Sequence, residues 1–349
     1  MTPPATSPRQ IYQIKLIMVW GIALLWLLDS ALQAQPEMFT LNFVVMVMQP
    51  SIAIAPSFLG TLSAWTVSLI SAHPLAWNVL FVLIQFAIAC ALIVGLLRRD
   101  QRLIRGGLFL SIFWGLGVWV FGEGSNGVLT GSGTMLTGAP GAVILYVAIA
   151  VLYLLPDRWW QLSSRVCIPR DLLSVVFFYG AVAQLTTPAF WGPQGTALLI
   201  EGQASMAPSW MLAPLTPMVT LTHSYPVLAN AVFGLTLLAV GILLFGRTPR
   251  VLGFAILPLV LAFIWFWGEA IGGIFSGMGT DPGSVPLLAL LAVPPALAWR
   301  QRAVLATGVH ARGKPAQRDH EFNAVGQSER SAAARSGASD LRRPGSRTL

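Results

Sequence analysis

Two glutamates in this chain stand where a carboxylate is hard to keep charged. Glu123 lies in WVFGEGSNGVLTGSGT (residues 119–134) and Glu269 in WFWGEAIGGIFSGMGT (residues 265–280). Each follows an apolar run and precedes a stretch rich in Gly, Ser and Thr. The two stretches share the pattern W-x-x-G-E-x-x-x-G-x-x-[ST]-G-x-G-T, with every matched pair separated by the same distance along the chain. A helix C-terminus carries about half a negative charge, so an anion there is disfavoured by roughly 0.3–1 kcal/mol. Partial burial also favours the protonated form. Two chemical remedies follow. The carboxyl is protonated, or it holds a cation, for which last-turn carbonyls, the carboxylate and the hydroxyl of Thr134 or Thr280 supply hard oxygen ligands. Two non-functional readings are equally open: water hydrates the carboxylate, or the carboxylate caps N–H groups of the glycine-rich turn.

The candidate contacts for a proton, cation or substrate are Glu123, Glu269, Asp29, Asn78, Asn230, Thr134 and Thr280. Intramembrane ionisable groups are functional hypotheses by default. A second chemistry comes from sulfur and imidazole. Apart from Met1 and Met18, the methionines fall in segments expected on one side, together with His73 and His223. Met46, Met48, His73, Met206, Met211 and His223 are ligand types that suit Cu(I), although Met also packs irregular segments well. The glycine-rich segments lack GK[ST] and are not nucleotide loops. Cys90 sits in an apolar run and Cys167 in a basic loop, so they form no C-x-x-C pair and are read as structural. Nothing recognisably binds haem, flavin or nicotinamide.

The elements that must position these residues are membrane helices. The chain of 349 residues is 55% hydrophobic and 10% charged, with mean hydropathy +0.71, against about 25% charged in a soluble domain. The net charge of +8 does not indicate nucleic acid, because the basic residues lie in short loops and one tail. Eight apolar stretches approach spanning length: about 15–34, 76–97, 103–122, 140–156, 172–189, 226–246, 251–269 and 284–300. All 21 Lys and Arg fall between or beyond these stretches on one side. The positive-inside rule places that side, and both termini, in the cytoplasm of a bacterial inner membrane. The opposite side carries Asp29, Glu37, Glu123, Glu201, Glu269 and Asp281 without a basic residue.

Further echoes accompany the glutamate motif. Pro74-x-x-x-Asn78 matches Pro226-x-x-x-Asn230, and Gln33 and Gln184 each stand shortly before a proline. The predicted fold is therefore all-α: a polytopic membrane protein with eight transmembrane helices as two tandem four-helix repeats. Residues 1–14 form a cytoplasmic N-terminal segment, 15–160 the first repeat, 161–302 the second and 303–349 a disordered basic tail. The repeat gives the first apolar stretch a counterpart, so it is read as a span and not as a cleaved leader. The long outer segments, about 35–75 and 190–225, are apolar but proline-broken, and predict short interfacial or re-entrant helices on the bundle. Thr280 or Asp281 is expected near the N-terminus of the last helix.

Four-helix units with a long extracytoplasmic segment after the first helix, together with LLDSALQAQPEMF, resemble the DoxX/DoxD-like membrane proteins, here in tandem over about residues 10–300. The resemblance implies an extracytoplasmic redox process linked to quinone or to thiol and sulfur chemistry, served with a partner subunit. It carries over no catalytic residue. The residues themselves leave two alternatives: a cation or small-solute transporter or channel with paired outer glutamates, and a non-catalytic anchor or assembly protein.

Overall fold

The computed structural model of the chain describes residues 7–160, 168–204, 207–245 and 251–297. The basic tail, Cys167 and Met206 lie outside these residues. Among the described residues every regular element is helical. Helix α1 spans Pro8–Gln33 and starts earlier than the apolar run alone indicates, because Ser7 closes a capping box with Gln10. Lys15 consequently lies about two turns inside the helix. Its ammonium donates to the Leu155 carbonyl and the Asp157 carboxylate, each at 2.8 Å, and stands over the rings of Tyr153 and Trp160. Those partners replace water around the charge.

The chain continues through α2 (Gln49–Ala53), α3 (Ser57–Ala72), α4 (Pro74–Arg98), α5 (Gln101–Gly117) and α6 (Ala142–Leu154). Then come α7 (Ile168–Thr186), α8 (Gly195–Ala204), α9 (Ser209–Ser224), α10 (Pro226–Leu244), α11 (Val251–Phe263) and α12 (Val285–Leu297). Four helical segments are long and apolar enough to cross a membrane: Pro8–Gln33, Pro74–Arg98, Gln101–Gly122 and Pro226–Leu244. Their outward faces are apolar, with Leu97 69% exposed and Phe113 79% exposed. Lipid, unlike water, is an apolar solvent for such faces. The protein is a helical membrane protein.

Helix α1 packs on α4 and α6, α4 on α5, and α5 on α6; α7 packs on α10 and α10 on α11. One continuous core joins these helices, from Ile11 to Leu291, and a smaller one gathers Met38, Phe43, Val44, Met48 and Ile70. The proline-broken segments do hold short helices. α3 and α9 are both 16 residues long, and each follows an extended proline, Pro56 or Pro208. Each then meets the next helix through one non-helical residue, His73 (φ −144°, ψ 62°) or Tyr225 (φ −135°, ψ 59°). The proline that opens α4 or α10 forces that break, since its ring clashes with a helical residue before it.

Candidate functional site

Helices α5 and α11 each run on into a π-turn, Val118–Gly122 and Ile264–Gly268. The turns close through Glu123 N–H to the Val118 carbonyl at 2.9 Å and Glu269 N–H to the Ile264 carbonyl at 2.8 Å. π-Turns are rare and frequent at functional sites. Four left-handed residues follow in both places: Gly124, Ser125, Asn126 and Gly127, and Ala270, Ile271, Gly272 and Gly273. A Cβ in that conformation costs roughly 1–2 kcal/mol, and the β-branched Ile271 at φ 58° is the least comfortable of the set. Trp119 Nε1–H donates to the Pro140 carbonyl at 2.9 Å, and Trp265 Nε1–H to the Pro282 carbonyl at 2.7 Å. Each indole thus ties its π-turn to the Pro-Gly step that precedes the following helix.

This geometry explains how a carboxylate survives at a helix C-terminus: it faces the N-terminus of the next helix. Glu269 Oε1 accepts from the Ser284 hydroxyl and, at 3.2 Å, from the Ser284 N–H; Oε2 accepts from Val285 N–H at 3.5 Å. These donors open α12, where the helix dipole favours an anion. Thr280 and Asp281 do not fill that place. Asp281 accepts from Gly283 N–H at 2.8 Å and from the Thr280 hydroxyl at 2.9 Å, inside the turn.

Glu123 stands in the same relation to α6 but without the same partners. Ala142 follows Pro140-Gly141 where Ser284 follows Pro282-Gly283, and Glu123 Oε2 is buried without a hydrogen bond. Gly141 (φ 106°) and Gly283 (φ 85°) are required here, because a Cβ at either would overlap the adjacent carboxylate. Burial pushes Glu123 up to about 8, with Asp281 adding to the shift. Asp281 is itself raised by burial.

The asparagines act elsewhere. Gln33 Nε2–H donates to Asn78 Oδ1 at 2.5 Å, and Asn78 Nδ2–H donates to the Gln33 carbonyl at 2.9 Å. Gln184 and Asn230 make the same two bonds at 2.6 Å and 3.3 Å. All four side chains are buried. Each pair clamps two helices, α1 to α4 and α7 to α10, and consumes amide groups that would otherwise be unpaired. The Thr134 hydroxyl donates to Gln184 Oε1 and so joins the second clamp.

Asp29, Glu123, Glu269 and Asp281 all line one cavity of about 830 Å³, which Thr280 also borders. No lysine or arginine is among its lining residues. Its other wall is aromatic, with Trp26, Trp77, Phe81 and Trp114. Asp29 is 2% exposed and its Oδ1 has no hydrogen-bond partner; Gln85 Oε1 and Trp114 Nε1 are buried in the same condition. The Tyr146 hydroxyl faces Asp29 without completing a well-formed hydrogen bond. Trp26 stacks on Tyr146 with ring centroids 4.2 Å apart and donates to Ser111 Oγ at 2.9 Å.

The positions at the same spacing from the second copy of the motifs are not polar. Asp29 stands four residues before Gln33, and Gly180 stands four before Gln184. Gln85 follows Asn78 by the same interval as Leu237 follows Asn230. Ser111 and Leu257 are equally spaced from Trp119 and Trp265, and Tyr146 and Leu288 from Pro140 and Pro282. Leu237, Leu257 and Leu288 are all buried, and Met135 packs directly onto Gly180. Gln85, Ser111 and Tyr146 were not legible as site residues from type alone. The available signal was a polar residue in an apolar helix whose counterpart is apolar.

The sulfur and imidazole candidates are dispersed. Met46 and Met48 border the cavity, Met48 within the smaller core. Met211 is buried in the main core. His73 is the junction between α3 and α4, and His223 pairs with Glu201 at 2.7 Å. No family model, no curated protein and no solved structure matches this chain.

Proposed function

We propose that the chain is an inner-membrane transporter or channel that holds a cation or small cationic solute in the cavity bounded by Asp29, Glu123, Glu269 and Asp281. Both termini lie in the cytoplasm in this reading, and the cavity lies toward the outer face. The observation that carries it is the convergence of four carboxyl groups on one cavity whose lining contains no lysine or arginine. Buried carboxyls in that setting are neutral or paired with a cation, and exchange between those conditions is what cation binding requires. The scaffold proposed is eight spans in two tandem four-helix units, 15–160 and 161–302. The matched π-turns, left-handed turns, Trp–Pro bonds and Gln–Asn clamps support it.

Proteoliposomes with a pH-sensitive dye inside test this reading. Addition of Na⁺, K⁺ or an organic ammonium should produce saturable flux that an ionophore dissipates, lost in Glu123→Gln and Glu269→Gln. Flux equal to that of empty liposomes in every case would contradict it.

A second reading follows the DoxX/DoxD-like resemblance: an extracytoplasmic redox role with a partner subunit and quinone. Trp114 Nε1 favours it, as an unpaired donor in an aromatic wall suits a quinone carbonyl. Affinity purification from native membranes, followed by extraction of bound quinone and identification of co-purified subunits, separates the two.

A further inference from the structure

Resting on the reading of the cavity as a cation site, we propose that its ligand is an organic ammonium with an aromatic body. Its N–H groups donate to Asp29 Oδ1 and Gln85 Oε1, and its body lies against Trp26, Trp77, Phe81 and Trp114. Four observations lead there.

The first is the pair of orphaned acceptors. Asp29 and Gln85 are 2% and 8% exposed, both line the cavity, and each leaves one oxygen without a partner. A buried acceptor without a donor is costly, so the ligand that belongs here brings donors. An ammonium with N–H groups does so while matching the charge of the carboxylate.

The second is what the carboxyls fail to form. Among the described residues no three His, Cys, Asp or Glu side chains converge closely enough to hold a metal ion. Four carboxyls spread around about 830 Å³ suit a body larger than an ion.

The third is the wall. Phe81 links Trp77 and Trp114 at ring-centroid distances of 6.1 and 5.4 Å, making one aromatic surface beside the acid. Aromatic faces attract cations and bury apolar bodies. The lining also continues to Trp65 and Phe113, which are 61% and 79% exposed. Phe113 lies within the membrane-spanning segment Gln101–Gly122. The cavity therefore reaches a lipid-facing surface, a route open to an amphiphile and closed to a hydrated ion.

The fourth is the stoichiometry that the counterpart positions impose. Gly180 and Leu237, which stand where Asp29 and Gln85 would, offer no polar group to a ligand, and Met135 occupies the space beside Gly180. One ligand per chain follows.

The test titrates the purified full-length chain in detergent with phenethylammonium, followed by calorimetry and tryptophan fluorescence. One site per chain is expected. Asp29→Asn should weaken binding about tenfold or more, as should replacing the probe with benzyltrimethylammonium, which has no N–H. Gln85→Leu copies the residue at position 237, so it keeps the test decisive if Asp29→Asn does not fold; it should weaken binding several-fold. Unchanged binding in Gln85→Leu and in any folded Asp29→Asn protein overturns the proposal, as does equal affinity for benzyltrimethylammonium. Carboxylate-dependent binding of Na⁺ or Ca²⁺ with none of phenethylammonium overturns the organic ligand and leaves the cation reading standing. Absence of binding by all of these overturns both.

Discussion

Around α1 and α4 the buried side chains include Asp29 and Gln85, with Ser111 and Tyr146 beside them; around α7 and α10 the corresponding residues are Gly180, Leu237, Leu257 and Leu288. Yet the two regions share a Gln–Asn clamp, a π-turn ending in glutamate, a left-handed turn and an indole bonded to a proline carbonyl. What the regions have in common is backbone geometry and the side chains that enforce it. What differs is buried polarity, and buried polarity costs free energy unless it is used. The comparison thus moves the centre of the site from the paired glutamates to Asp29 and its neighbours. The glutamates remain at the cavity but also serve the fold, Glu269 as an acceptor for the first N–H groups of α12.

Substitutions that exchange the two regions break this comparison most severely. Gly180→Asp would force a carboxylate against the side chains of Met135 and Leu237. The expected loss is about 3 kcal/mol or more, read as a large fall in melting temperature in detergent. The clamps come next: Asn78→Leu and Asn230→Leu each strand a buried glutamine, costing about 1–3 kcal/mol. Similar costs in the two variants would mark both asparagines as structural, whereas loss of cation binding in Asn230→Leu at normal stability would give it a different role.

Ser284→Ala makes the Glu269 turn resemble the Glu123 turn and should cost about 1 kcal/mol. A smaller effect in the opposite direction is expected of Gln85→Leu, which replaces an unsatisfied amide by an apolar chain. It should raise thermal stability by up to about 1 kcal/mol while weakening ligand binding.

The pH dependence of Glu123 is a separate readout. Glu123 is held near 8 when folded, whereas an unfolded glutamate titrates in the ordinary range. Between roughly pH 5 and 8 the folded protein therefore retains protons that the unfolded chain releases, and stability falls as pH rises through that window. Glu123→Gln should flatten the slope. Cation binding should run the opposite way, strengthening toward pH 8 as the carboxyls ionise.

Much of this was readable in the sequence. Hydropathy marked a helical membrane protein, and four of its eight stretches fall on helices long and apolar enough to span among the described residues; the matched motif located both glutamate turns, because Gly, Pro and Trp at fixed spacing report backbone requirements directly. The weak echo of Gln33 and Gln184 turned out to be half of a clamp whose other half, Asn78 and Asn230, was the stronger signal. The start of α1 was missed because capping by Ser7 and Gln10 outweighed the polar composition before residue 15. The π-turns were invisible, since no residue type specifies them. Thr280 and Asp281 stand just before α12, but the N–H groups that open that helix go to Glu269, distant in sequence, which the sequence did not show. The surroundings of Asp29 could not be read at all: Gln85 at the cavity and Ser111 and Tyr146 behind Trp26 come from three other helices, and only packing brings them together.

The role of Asp29 is tested most directly by stoichiometric cation binding to wild-type and Asp29→Asn protein, with the folded fractions matched by melting. One site per chain is expected in the wild type, with about tenfold weaker binding, or none, in the variant. Equal binding by the two proteins would contradict it.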